Sequence, residues 1–132
     1  MYKKLNLIVV CISVLLIVCS VLSACGDITN QDQKIWPKKG PASSVPTPEA
    51  GEVIQAITKE DVDGNAFSII TIGNFTADDM GNYIRLLLNK GFETYESQKI
   101  NQNYITYAAK KRDRTVALRL NTDENELKVE IE

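Results

Sequence analysis

The chain has 132 residues, with 15 Lys and Arg against 17 Asp and Glu, and no histidine. A net charge of −2 gives no basic footprint of the kind nucleic-acid binding needs, so no nucleic acid is expected as a partner. The lack of histidine closes the commonest routes to acid–base, nucleophilic and zinc chemistry, and no cofactor is expected.

Met1-Tyr2-Lys3-Lys4 is positively charged, and Leu7 to Val21 is apolar apart from Ser13, Ser20 and the thiols Cys11 and Cys19. Small residues then precede Cys25. This is the order of a secretory signal peptide. A membrane-spanning helix competes, because the apolar stretch approaches the roughly 20 residues that cross a bilayer. Leu22-Ser23-Ala24-Cys25 decides between them, since it resembles the lipobox of bacterial lipoproteins. That resemblance implies diacylglycerol, and palmitate label, on the Cys25 thiol, cleavage before it, and a membrane anchor on the extracytoplasmic face of the cell membrane. Residues 1–24 are then signal peptide. Cys11 and Cys19 leave with it, so the exported domain has neither a free thiol nor a disulfide. Of the 15 cations, Lys3 and Lys4 also leave, and 13 remain against 17 acidic side chains, a balance of about −4.

Residues 25–50 lack periodicity and hold all four prolines, Pro37, Pro41, Pro46 and Pro48. Proline favours extended backbone, so a tether is expected, with a reach of roughly 25 Å for about 24 residues. Trp36 is unusual in such a segment. It is expected either to rest at the membrane interface or to dock on the domain. Trp36-Pro37, a glycine, and Val45-Pro46-Thr47-Pro48 before a small domain are similar to the W-P and L-P-x-P pattern of a group of small, uncharacterised Gram-positive lipoproteins. Val45 stands where leucine is commoner. The resemblance carries no catalytic residues over.

Residues 51–132 read as one α+β domain. Glu52–Lys59 and Ala66–Gly73 are strand-like, joined by Asp61-Val62-Asp63-Gly64-Asn65. The Asp61, Asp63, Asn65 spacing fails as a calcium loop, because Ala66 and Ile72 stand where such a loop needs glycine and a bidentate glutamate. Thr76 and Asp79 form a capping-box pattern, and Phe75 and Met80 a hydrophobic staple. Met80, Tyr83, Ile84, Leu87 and Leu88 fall on one helical face, and Gly91 supplies a stop. The spacing predicts a helix over Ala77–Lys90. Phe92–Lys99, Tyr104–Lys110, Thr115–Asn121 and Glu126–Glu132 are the remaining strands, the last two with clear alternation. The order ββαββββ predicts a two-layer arrangement, one helix packed on a mainly antiparallel sheet. One helix cannot cover six strands, so part of the sheet is expected to be solvated, covered by the tether or offered to a partner.

Lys110, Lys111, Arg112 and Arg114 place four cations around one turn of an acidic domain. A solvated tip is one reading, and contact with anionic wall polymer or lipid headgroups is the other. Tyr104 and Tyr107 on the incoming strand add aromatic area to such a contact wherever they face outward. The function expected from the sequence is a non-catalytic binding module at the cell envelope, with an envelope protein or an anionic surface as partner. A hydrolase with an Asp/Glu site and a structural spacer without specific ligand are the alternatives. No catalytic or metal-ligating residue is assigned.

Overall fold

A computed structural model of the chain describes residues 34–132. The expected signal peptide, Cys25 and the first part of the expected tether lie outside the described residues.

Strands β1 (Glu52–Glu60) and β2 (Ala66–Gly73) lead into helix α1 (Ala77–Asn89). Strands β3 (Glu93–Asn101), β4 (Tyr104–Lys111), β5 (Arg114–Asn121) and β6 (Glu126–Ile131) follow. The six strands form one sheet in the order β1-β2-β6-β5-β4-β3, with every neighbouring pair antiparallel. After β2 the chain crosses by way of α1 to the far edge, and β3 to β6 then return strand by strand until β6 closes against β2. The β1–β2 turn, the β4–β5 turn and the C-terminus therefore share one end of the sheet, the end marked by Ser68, Ile131, Val116 and Ala109.

Local chemistry accounts for the helix. Thr76 caps the Asp79 N–H, and the Asp79 carboxylate accepts the Thr76 N–H at 2.9 Å, so both halves of the capping box are present. Phe75 and Met80 are both fully buried. At the other end Gly91 has φ 89°, which a side chain would disfavour. Phe92 N–H bonds to Leu87 O and Gly91 N–H to Leu88 O, the pair of bonds that defines a Schellman stop.

Alternation dictates which sheet face is buried. Ile70, Val129, Leu118 and Tyr107 lie side by side across four strands, flanked by the row Ile72, Leu127, Leu120 and Ile105. These residues form one core with Met80, Tyr83 and Leu87 of the helix. Ser68 is the buried polar residue of this face, and it shares a 3.0 Å hydrogen bond with Thr58. Tyr107 is buried too, which removes it from any outward aromatic area. Its hydroxyl shares a 2.9 Å hydrogen bond with Thr94.

The rest of the core's cover comes from the proline-containing segment. Ala42 and Val45 are buried within the same core, with Trp36 packed against it. A 3-10 turn, Pro41–Ser44, bends the chain there. Trp36 Nε1 donates to Ala42 O at 3.0 Å, and Tyr83 Oη donates to Pro46 O at 2.8 Å. Among the described residues packing begins at Trp36, ahead of the Gly51 start expected from periodicity. Prolines remove donors, and the turn satisfies others internally: Ser43 N–H donates to Gly40 O and Val45 N–H to Ala42 O, so the segment can lie on an apolar face.

Strand β3 is the least embedded. All nine of its residues are exposed, and two register shifts interrupt its pairing with β4. The loose alternation from Phe92 to Lys99 has this cause: a bulged edge strand buries neither face. Only Phe92, just before it, enters the core.

Candidate functional site

The four cations of the β4–β5 turn have different environments. Lys111 and Arg114 are opposite each other in the ladder, so the loop proper is Arg112-Asp113. Arg112 has φ 56° at the first loop position, where a tight hairpin favours glycine.

Two of the cations are committed to holding the domain together. Lys111 Nζ donates to Lys90 O at 2.6 Å and lies 5.7 Å from the centre of the Phe92 ring. Helix α1 has no basic residue in its last turn, so Lys111 brings a cation from β4 to the negative end of the helix dipole. Arg114 Nε donates to Ser44 Oγ at 3.2 Å, which ties the turn to the docked segment.

The other two point to solvent. Lys110 is exposed, with its ammonium 5.8 Å from the centre of the Tyr95 ring. Arg112 is exposed, and its side chain has no hydrogen bond or ion pair among the described residues. The ion pair found among the described residues is Lys128–Glu130, on the opposite sheet face. A cleft of about 470 Å³ lies beside Tyr95, Lys110 and Arg112, and a smaller one of about 250 Å³ beside Ser44, Phe92 and Arg114. Cationic donors line both, together with one carboxylate each, Glu93 in the larger and Asp113 in the smaller.

The neighbouring turn is acidic and closed on itself. One Asp61 carboxylate oxygen accepts the Asp63 and Asn65 N–H groups, each at 2.9 Å, and the other accepts Asn65 Nδ2 at 3.2 Å. These bonds from Asn65 and Asp63 hold the Asp61 carboxyl below its ordinary pKa. A shallow cleft of about 890 Å³ runs between the two turns, lined by Gly40, Pro41, Asp61, Asp113, Arg114 and Glu132 among others. Its Asp61 carboxylate is already occupied by the turn. Among the described residues no group of three or more Asp, Glu, His or Cys converges as a metal site.

Trp36 and the four cations thus belong to one structural unit, joined through Ser44 and Arg114. Cys25 lies outside the described residues. Sequence reading missed the pairing of Arg119 with Tyr104, where the guanidinium sits 4.2 Å from the ring centre on the open sheet face. Register alone brings these two together, so no local signal announces them. It also missed Tyr83 as a partner of the docked segment. Burial pushes the Tyr83 hydroxyl well above the ordinary tyrosine pKa, which keeps it a donor to Pro46. No protein-family model matches the chain, and no curated protein or solved structure matches it.

Proposed function

We propose that this chain is a bacterial lipoprotein, anchored through Cys25 to the extracytoplasmic face of the cell membrane, whose domain is a non-catalytic binding module of the envelope. The observation that carries the reading is Leu22-Ser23-Ala24-Cys25 placed directly after a charged start and an apolar run. Two acyl chains on Cys25 give stable attachment, where a single chain is marginal. The domain is a two-layer module of the ββαββββ order, with the sheet as one layer and α1 plus the docked segment as the other. Its open sheet face and its cationic turn are the surfaces available for binding.

Cys25→Ser tests the anchor. Metabolic palmitate labelling of the variant is expected to vanish, and the signal peptide is expected to stay attached. A Cys25→Ser variant that labels and fractionates like the unaltered protein refutes the reading.

A further inference from the structure

We infer that the cationic end of the domain contacts the anionic phospholipid headgroups of the bilayer that holds the anchor, an inference that rests on the lipid-anchor reading of Cys25. The first support is position. Among the described residues the chain that follows Cys25 first packs on the domain at Trp36, and Gly40 and Pro41 share a cleft with Asp113 and Arg114. Ser44 is bonded to Arg114. The anchored chain therefore arrives at the end of the sheet that carries the β4–β5 turn. About 11 residues separate Cys25 from Trp36, at most roughly 40 Å when fully extended. Tethering at that range makes surface contact an intramolecular event with a high effective concentration.

The second support is charge. Lys38 and Lys39 are exposed on the arriving segment, and Lys90, Lys110 and Arg112 are exposed at the same end. None of the five has an ion-pair partner among the described residues. The anions of this end, Glu60, Asp61, Asp63 and Glu132, lie on the β1–β6 side, while Glu93 and Asp113 stand among the cations. The end is therefore polarised, and an anionic surface selects its β3–β5 side. Tyr95 is 64% exposed beside Lys110, a ring of the kind that settles at headgroup level. Toward the opposite end Lys99, Arg119 and Lys128 share one row of the open sheet face, but Lys128 is paired with Glu130, Arg119 lies over Tyr104, and the turn itself, Gln102-Asn103, is uncharged. A surface facing the anchor faces the bilayer first, which favours headgroups over more distant wall polymer.

The test uses the processed, lipidated protein in nanodiscs of phosphatidylcholine with or without phosphatidylglycerol, each containing a gadolinium-headgroup lipid. Backbone amide signals of residues 110–114 are expected to broaden in the anionic discs, and those of residues 101–103 to broaden far less. The contrast is expected to fade in zwitterionic discs and with added salt. Lys110→Gln with Arg112→Gln lowers the contact equilibrium by about fivefold per cation, roughly 30-fold together. Lys111 is left in place because it caps the helix, and unchanged amide shifts elsewhere verify that the double variant is folded. Equal broadening of both ends in lipidated protein overturns the proposal alone. Salt-sensitive binding to purified anionic wall polymer without any broadening bias in the discs also overturns it, and moves the partner to the wall. A mass spectrum showing Cys25 without lipid overturns the anchor reading and the proposal with it.

Discussion

Two turns stand at the same end of the sheet, and they handle charge in opposite ways. The β1–β2 turn folds its Asp61 carboxylate back onto its own backbone, at Asp63 and Asn65. The β4–β5 turn sends Lys111 to the end of the helix and Arg114 to the docked segment, and leaves Lys110 and Arg112 in solvent. The acidic turn needs only its neighbours in sequence. The basic turn needs α1 and the docked segment to be in place. A charge run near a hairpin is therefore not one feature: some members build the domain, and the remainder are free for a partner.

The scale for breaking this arrangement comes from the helix that Lys111 caps. Leu87 is fully buried at the centre of its apolar face, so Leu87→Ala is expected to cost about 2–5 kcal/mol in a urea series. Arg85→Ala, on the exposed side, is expected to be near neutral, and equal effects contradict the packing.

Lys111→Met comes next. It keeps the aliphatic stem beside Phe92 and removes the cation from Lys90 O. A loss of roughly 0.5–2 kcal/mol is expected, the range for a charge at a helix end together with one hydrogen bond. Lys110→Met, one residue earlier, is expected to change stability by less than about 0.5 kcal/mol. The difference between these two substitutions is the most direct way to separate building cations from free ones.

Asp61 sharpens the acidic side through pH. Its folded pKa lies below the ordinary 3.8, so its contribution is complete above that value and is lost as pH falls through the lower folded value. Asp61→Asn is expected to lower the melting temperature at pH 7 and to flatten this acid dependence. A melting profile below pH 4 identical to that of the unaltered protein contradicts the turn geometry.

A small effect without a fixed sign is expected at Arg112. Glycine relieves its positive φ but loosens the unfolded chain, so Arg112→Gly is expected to shift stability by no more than about 1 kcal/mol in either direction. Chemical denaturation resolves a change of that size.

These contrasts also mark what is legible in the residues. The helix is readable because its start, face and stop are all local: Thr76 with Asp79, the stripe from Met80 to Leu87, and Gly91. β5 and β6 are readable because alternation reports a half-buried sheet. Strand order is not, because β2 pairs with β6 across more than half of the domain, and no period encodes a distant partner. The docked segment reads as a tether because proline suppresses periodicity, while burial of Ala42 and Val45 depends on a sheet face that α1 leaves uncovered. At the basic turn the charges are plain, but the roles of Lys111 and Arg114 require the positions of Lys90 O and Ser44 Oγ. Tyr104 and Tyr107 cannot be sorted from sequence, since either face of β4 accepts an aromatic ring.

The segment that leads from the proposed anchor is built into the domain, an arrangement that would hold the cationic end toward that anchor. Trp36 is the chain's one tryptophan, half-buried against the core and bonded to Ala42. Its fluorescence in the processed, detergent-solubilised protein reports this directly. Blue-shifted native emission is expected, moving red in the same denaturant transition that removes the sheet's circular dichroism. A fully water-exposed spectrum in the native state, or a red shift complete before the sheet unfolds, contradicts the claim.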